Sequence, residues 1–285
     1  MKKVEAKARK KAEKMTKRPP FQRIIGTIKR IEPLVAGNAI SGETFKLTAE
    51  DGNEYKLRFC DSWSRARKIA KNSRRFQHIL PHFYGREGRL LLYRWVSGTE
   101  LNKLKHAGNI DKEHYIALGR IYGEVHAVDE TVSKRKAKQF FSWIVNGLLK
   151  KGIITKEDSR KLFRLYREKG DNVEHKVVLE AQDLAIQNFM VESDTGRILM
   201  LDEEGITHRL KGLGMHKSFT KFFDEEEKRW FLEGYNKVHS DDYFTKEYQD
   251  FLALVHYARD VWTKARTGRP YDKPLKNLRE YLNKN

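Results

Sequence analysis

Three oxygen-bearing side chains that could do chemistry, Asp183, Asn188 and Asp202, surround one predicted β-hairpin. Asp183 and Asn188 lie in a polar loop after the apolar residues 177–179, and Asp202 follows the second strand of the hairpin. The turn at residues 193–196 joins two apolar runs, so we expect Asn188 and Asp202 to lie close together. A carboxylate and an amide oxygen suit Mg²⁺ when substrate phosphates and water complete its coordination. Asp183 would then be available to an incoming hydroxyl group.

The sequences DLAIQN and LMLDEEG in this region resemble the catalytic loop and metal-binding aspartate of kinases. The resemblance is to the aminoglycoside phosphotransferase-like branch of small-molecule kinases, whose pattern is H-x-D-x-x-x-x-N followed by a hairpin and a hydrophobic-Asp signature. It implies that Asp183 is the catalytic aspartate and that Asn188 and Asp202 are metal ligands. Ala181 stands where the pattern has a histidine that braces the loop. Asp and Asn are also ordinary turn formers. The resemblance to kinases therefore depends on the order of the surrounding segments as well.

Length and composition allow an enzyme with two lobes. The chain has 285 residues, of which 39% are hydrophobic, enough to bury a core. Its single cysteine, Cys60, excludes an intramolecular disulfide and favours a reducing compartment, the cytoplasm. At the end of a predicted strand, Cys60 is expected to be a buried structural thiol. We expect neither a transmembrane segment nor a secretory signal, because no apolar run has the required length or position.

The net charge of +19 is concentrated in two segments. Residues 1–18 hold nine Lys/Arg and two Glu, and residues 64–75 hold six Lys/Arg and no acid. Such charge suits steering of an anionic substrate or nucleotide, nucleic-acid binding, or weak association with an acidic membrane surface. A solvated basic helix, or a frayed tail at the N-terminus, is the alternative.

Strand patterns dominate the first third of the chain. We expect an antiparallel meander with strands at residues 24–37, 44–48 and 55–59. The kinase resemblance implies that Gly37 and Ser41 lie in the turn over the nucleotide phosphates. It also places Arg58 at the position of the phosphate-binding lysine, with Lys56 on the same face of the strand. The helix after Trp63 lacks the acid that the family pairs with that lysine, so a partner is absent or comes from elsewhere.

Residues 90–101, LLLYRWVSGTEL, resemble the strand and hinge between kinase lobes. The resemblance implies that backbone groups of Arg94, Trp95 and Val96 meet the adenine edge of ATP, with Tyr93 or Trp95 as an apolar wall. Core packing of Trp95 is the alternative. The hinge would separate a basic tail or helix (residues 1–20) and a nucleotide-binding N-lobe (21–96) from a helical C-lobe (97–285) that carries the catalytic loop and substrate site.

Helical periodicity dominates the rest of the chain, and strands followed by helices indicate an α+β fold. The expected architecture is bilobal and protein-kinase-like, with a small antiparallel-sheet N-lobe and a mainly helical C-lobe. His126 is expected to be a buried brace rather than a general base. Glu203 and Glu204 would add negative charge beside Asp202, with at least one facing solvent. Helices are predicted at residues 112–126, 134–150, 156–168, 224–238, 244–264 and 274–283.

These expectations point to an ATP- and Mg²⁺-dependent phosphotransferase whose acceptor is a hydroxyl of a small molecule. The basic excess favours an anionic acceptor, such as a phosphorylated sugar or a lipopolysaccharide-type saccharide. The alternative is a degenerate kinase fold, a pseudokinase, that responds to nucleotide or binds nucleic acid or another anion. Ala181, Arg58 and the missing acid on the helix after Trp63 favour that alternative, whereas Asp183, Asn188 and Asp202 favour catalysis.

Overall fold

The computed structural model describes residues 10, 12–19, 21–34, 42–181, 184–203, 205–239 and 245–285. The chain divides into two compact units, one formed by Met1–Asn109 with Ile186–Glu204 and the other by Ile110–Ala185 with Gly205–Asn285. This division differs from the lobe boundary expected after residue 96. It places residues 97–109 and the hairpin in the first unit, because a short strand at residues 98–100 pairs with the hairpin.

The first unit is built on a five-stranded antiparallel sheet in the order β1-β2-β3-β5-β4. The meander predicted from sequence is confirmed as β1–β3, and a second hairpin, β4–β5, extends it. Cys60 ends β3 and is buried, as expected for a structural thiol. The strands are β1 (Ile28–Pro33), β2 (Gly42–Ala49), β3 (Glu54–Cys60), β4 (Phe83–Glu87) and β5 (Leu90–Arg94).

The chain before β1 is helical where the sequence predicted a strand from Ile24. Helix α1 (Phe21–Ile25) buries Phe21 and Ile25, which lie one helical turn apart on the same face. A helical turn at residues 12–16 adds Ala12 and Met15 to the same apolar cluster. At these positions the basic N-terminal segment is therefore packed against the first unit rather than frayed.

The basic segment at residues 64–75 forms helix α2 (Trp63–Arg75), as predicted. Ser62 caps its N-terminus by accepting a hydrogen bond from the backbone N–H of Arg65 at 3.3 Å. Its buried face includes Ala66 and Ile69, which join a cluster that also contains residues of β3 and β5. Most of its cationic side chains are consequently on the exposed face of an amphipathic helix.

A second sheet in the first unit holds the hairpin that follows the catalytic loop. Its order is β10-β9-β6, formed by β6 (Gly98–Glu100), β9 (Phe189–Glu192) and β10 (Ile198–Met200). Helix α3 (Leu101–His106) continues directly from β6, and a 3₁₀ turn (Ile186–Asn188) leads into β9. The predicted hairpin is thus confirmed.

The second unit is mainly helical, with one small sheet in the order β11-β8-β7. Capping boxes at Asp111, Thr155 and Asp224 begin three of its helices. The strands are β7 (Thr131–Val132), β8 (Lys176–Glu180) and β11 (Thr207–Leu210). The helices are α4 (Lys112–Ala127), α5 (Lys134–Lys150), α6 (Lys156–Gly170), α7 (His216–Lys221), α8 (Glu225–Asn236), α9 (Lys246–Arg266) and α10 (Asp272–Lys284).

An antiparallel sheet in the first unit and a mainly helical second unit confirm the predicted α+β fold class. Within the described residues, no helix is both long and apolar enough to span a membrane.

Helices α4 and α8 approach each other so closely that glycine is required at their contact. A Cβ on Gly119 would lie 1.9 Å from the carbonyl oxygen of Phe231, and a Cβ on Gly234 would lie 1.9 Å from that of Ile116. Both neighbours are helix backbone and cannot rotate away. We expect Gly119→Ala to lower the free energy of unfolding by about 3 kcal/mol, because the helices must separate. Urea denaturation measures this loss.

Gly123 provides the matched comparison, since it lies one turn further along α4 and its added Cβ would be 3.0 Å from the Tyr235 carbonyl oxygen. The Gly123→Ala protein should lose clearly less stability than Gly119→Ala. Equal losses would mean that helix separation is not the cause.

Candidate active site

Strand β3 carries two cations that share one buried carboxylate. The Lys56 Nζ lies 2.8 Å from Glu203 Oε2, and an Arg58 guanidinium nitrogen lies 3.3 Å from Glu203 Oε1. Lys56 also donates to the carbonyl oxygen of Leu201 at 3.1 Å. Lys56 and Arg58 are two residues apart and therefore point to the same face of the sheet. Glu203 has no exposed side-chain surface, and Arg58 is nearly as buried.

Glu203 is held as a carboxylate by these two cations. Burial alone would raise its pKa, but the charges of Lys56 and Arg58 and the Lys56 hydrogen bond outweigh burial and hold the pKa of Glu203 below its usual range. A buried charge without partners would cost far more than a neutral side chain. The three groups therefore stabilise one another as a unit.

Glu203 is the functional candidate that sequence reasoning did not assign. The family resemblance implies an acid on helix α2, which has none, and Glu203 was expected only to add negative charge beside Asp202 or to face solvent. The structure instead makes Glu203 the ion-pair partner of Lys56 and Arg58. The only sequence signal was its place directly after Asp202, and nothing there distinguishes Glu203 from Glu204.

Tyr93 lies in the core next to this ion-pair cluster. Its hydroxyl is 2.9 Å from Ser73 Oγ, and its ring lies 5.6 Å from the Lys56 ammonium. Burial, and then the charge of Glu203, raise the pKa of Tyr93 well above its usual value, so it stays neutral. Tyr93 has no exposed surface and is thus a core residue rather than a wall open to a ligand.

The hairpin joins the backbones next to the two expected metal ligands. The Leu201 N–H donates to the Asn188 carbonyl oxygen at 2.7 Å, which brings Asn188 next to the residue that precedes Asp202. Both side chains are half-buried. One carboxylate and one amide oxygen form a hard donor set that fits Mg²⁺ if phosphates and water supply the other ligands. The described residues contain no cluster of three or more His, Cys, Asp or Glu side chains that could hold a metal alone.

The expected hinge residues are largely engaged within the first unit. The Arg94 N–H donates to the His82 carbonyl oxygen at 2.8 Å, and the Trp95 N–H donates to that of Glu54 at 3.1 Å. The Arg94 side chain pairs with buried Glu192. A lysine ammonium, that of Lys46, lies 4.7 Å from the centre of the Trp95 ring. The backbone N–H groups of Arg94 and Trp95 are therefore engaged within the unit, and the Val96 side chain is buried. The contact of this segment with the adenine edge of ATP stays a prediction.

Three expected site residues, Asp183, Gly37 and Ser41, lie outside the described residues. Both ends of the loop that carries Asp183 are described, and both bind the same residue. The Gly214 N–H donates to Glu180 Oε1 at 3.0 Å, and the Leu184 N–H donates to the Gly214 carbonyl oxygen at 3.1 Å. Gly214 therefore fixes the two ends of the loop relative to each other.

Glu180 ends β8 in full burial, three residues before Asp183. His126, also fully buried, places Nε2 3.8 Å from Glu180 Oε1, while its Nδ1 lies 2.9 Å from the Tyr235 hydroxyl. This agrees with the prediction that His126 is a buried brace. Burial raises the pKa of Glu180 to about 7, against the opposing effect of Arg209. These contacts hold Glu180, the residue directly before Ala181, in place at the start of the loop.

Glu180 is expected to make stability depend on pH. Because its folded pKa, about 7, exceeds the value of 4.5 for an unperturbed carboxyl, its contribution is fully present below pH 4.5 and is lost as pH rises through 7. The loss amounts to roughly 3 kcal/mol. In urea denaturation at several pH values, the Glu180→Gln protein should lack this decline. Glu174→Gln, which changes an exposed carboxylate, should keep it; the same pH dependence in both variants would contradict the assignment.

Comparison with known proteins places the fold. No protein-family model matches the chain, and no curated protein sequence matches it. Solved structures do match over nearly the whole length. A spectinomycin phosphotransferase bound to ADP and spectinomycin matches at 13% identity and TM-score 0.60, covering 91% of this chain and 93% of that chain. A macrolide 2'-phosphotransferase from Brachybacterium faecium matches at 15% identity and TM-score 0.60, covering 90% and 92%.

A choline kinase from Streptococcus pneumoniae matches at 13% identity and TM-score 0.60, covering 96% of this chain and 98% of that chain. At such identities the likeness establishes the fold. The chain has the protein-kinase-like fold of small-molecule phosphotransferases, as its sequence predicted.

Proposed function

We propose that the chain is an ATP-dependent phosphotransferase that transfers the γ-phosphoryl group to a hydroxyl of a small molecule. The observation that carries this proposal is the pairing of Lys56 and Arg58 with buried Glu203. Kinases of this fold need a cation on this strand to be oriented by a carboxylate. Helix α2 lacks that acid, and Glu203 supplies a carboxylate to Lys56 and Arg58 from another element.

The proposed mechanism relies on positioning and charge. Asp183 orients the acceptor hydroxyl and accepts its proton as the new O–P bond forms and the bond from the γ-phosphorus to the bridging oxygen breaks. Arg58 and Lys56 offset negative charge on the phosphates. Asn188 and Asp202 would hold Mg²⁺, which when bound would offset negative charge on the phosphates.

An anionic acceptor, such as a phosphorylated sugar or a lipopolysaccharide-type saccharide, fits the net charge of +19. Choline, named for a kinase of the same fold, is a cation and would be repelled by such a chain. Reduced, buried Cys60 suits a reducing compartment, and we propose that the protein acts in the cytoplasm.

Transfer of labelled phosphate from ATP to panels of sugars, sugar phosphates, amino alcohols, nucleosides and basic peptides tests the proposal. We expect Mg²⁺-dependent labelling of one small-molecule class, and a melting temperature that rises with ATP and Mg²⁺. A nucleotide-dependent rise in melting temperature without transfer above background to any acceptor would reject the enzyme.

The second candidate is a nucleotide-responsive pseudokinase that binds nucleic acid or another anion. Ala181 in the catalytic loop and the exposed basic face of α2 favour it. Duplex DNA and RNA binding measured from low to high salt separates the two functions. For the phosphotransferase we expect no tight duplex binding above physiological salt, whereas persistent, steeply salt-dependent binding would favour the second candidate.

A further inference from the structure

We propose that a cationic, aromatic pocket in the second unit binds the phosphate group of a sugar phosphate, and that this molecule is the acceptor. The second half of the proposal rests on the proposed function. The pocket has a volume of about 240 Å³ and lies among α5, β11 and α9. Its lining includes three arginines and two tryptophans: Arg209, Arg259, Arg266, Trp143 and Trp262.

The cations come from two elements that converge on the pocket. Arg209 lies on β11, and Arg259 and Arg266 lie on α9, seven residues apart and thus on the same helix face. Arg259 is oriented by a hydrogen bond to the Leu213 carbonyl oxygen at 3.2 Å. Arg266 is exposed and forms no ion pair with any residue that the structure describes. Buried Glu180 opposes the charge of Arg209 and Arg259 in part, and Arg266 adds a third positive charge to the lining of the pocket.

Three guanidinium groups suit a phosphate monoester better than a carboxylate. Each presents planar N–H donors that match phosphate oxygens in pairs. A phosphate monoester carries more negative charge and more acceptor oxygens than a carboxylate, so it can engage more than one arginine. The charge of the pocket therefore points to a phosphorylated ligand.

The aromatic wall is preformed and partly open to solvent. The rings of Trp143 and Trp262 meet edge to face with centroids 5.2 Å apart. Trp262 is buried, whereas Trp143 remains 51% exposed at the pocket. A half-exposed tryptophan beside a cluster of arginines offers an apolar face to a sugar ring while the phosphate meets the cations. A pocket of about 240 Å³ lies just below the usual range for small-molecule sites, which starts near ~300 Å³, so it suits one phosphorylated ring rather than a longer chain.

Strand β8, which leads to Asp183, pairs with the strand that lines this pocket. Strand β11 pairs with β8, with Thr207 opposite Glu180 and Arg209 opposite Val178. Thr207 and Arg209 both line the pocket. Asp183 follows Glu180 by three residues, a length of chain that spans at most about 11 Å. Arg209 lies opposite Val178, five residues before Asp183, which is at most about 18 Å of chain. The loop that carries the proposed base thus begins on the strand that pairs with this wall of the pocket.

Binding of glucose 6-phosphate to the full chain without nucleotide tests the pocket, with glucose as the uncharged counterpart. Calorimetry should show saturable binding of glucose 6-phosphate and at least tenfold weaker binding of glucose. We expect Arg266→Gln and Trp143→Ala each to weaken glucose 6-phosphate binding about tenfold, because both side chains are at the open side of the pocket. Arg279→Gln, which removes an exposed arginine from α10, should bind as the unaltered protein does.

Equal binding of glucose and glucose 6-phosphate would overturn the proposal that this pocket binds a sugar phosphate. Equal affinity of Arg266→Gln and Arg279→Gln for glucose 6-phosphate would overturn it as well. The acceptor role is tested separately by ATP turnover. Stimulation of turnover by sugar phosphates that is weakened in Arg266→Gln supports it, and binding without such stimulation overturns it. The Asp183→Ala protein distinguishes the two proposals, because it should bind glucose 6-phosphate normally while losing turnover.

Discussion

Replacing Asp183 with alanine is expected to lower the rate of phosphate transfer from ATP by about 10²–10⁴-fold while leaving nucleotide affinity nearly unchanged. In the proposed role this carboxylate would orient the acceptor hydroxyl and take its proton, and it would bind neither the phosphates nor the adenine. The loss should therefore fall on kcat rather than on the KM for ATP. Single-turnover transfer of labelled phosphate, with ATP affinity measured by calorimetry, gives both quantities.

Asp194→Ala is the matched control for this experiment. Asp194 is an exposed aspartate in the turn of the hairpin that follows the catalytic loop, so its removal takes the same charge from the same region. It should retain full transfer. Transfer by Asp183→Ala at the rate of Asp194→Ala would reject Asp183 as the base, and background transfer by all three proteins would reject the enzyme.

The elements that sequence predicted well are those whose signal is local. Helix α5 begins and ends where its periodicity places it, and the hairpin β9–β10 follows from two apolar runs and one turn. The sequence misassigned α1 because its burial depends on residues that are distant along the chain. Phe21 and Ile25 are helical because they share one buried cluster.

The same distinction applies to the candidate site. The proximity of Asn188 to the end of the hairpin is a local consequence of strand pairing, and it could be predicted. The pairing of Lys56 with Glu203 joins residues 147 positions apart, and no pattern along the chain identifies it. The family pattern places the partner acid on the helix after β3, which is α2 here. The pattern specifies a position along the chain and not a position in the folded protein. Only the folded first unit shows that the carboxylate is that of Glu203, which follows the second strand of the hairpin.

The Glu203→Gln protein is expected to be less stable by about 3–5 kcal/mol at pH 7, because it leaves Lys56 and Arg58 without their buried counter-charge. Urea denaturation at pH 7 measures this loss. Glu54→Gln is the control, since it removes a carboxylate from the half-exposed pair that Glu54 forms with Lys46 on the same sheet. A pair of that kind contributes only ~0.2–1 kcal/mol.

The pH dependence of the stability deficit distinguishes loss of the Glu203 charge from a packing defect. The folded pKa of Glu203 is lowered, so its stabilisation is present above pH 4.5 and is lost as pH falls through the folded pKa. Glu203→Gln should therefore differ most from the unaltered protein at pH 7, and the difference should shrink under acid conditions. A deficit that is the same at every pH would indicate a packing defect. A deficit at pH 7 no larger than that of Glu54→Gln would show that the Lys56–Glu203–Arg58 cluster does not stabilise the first unit.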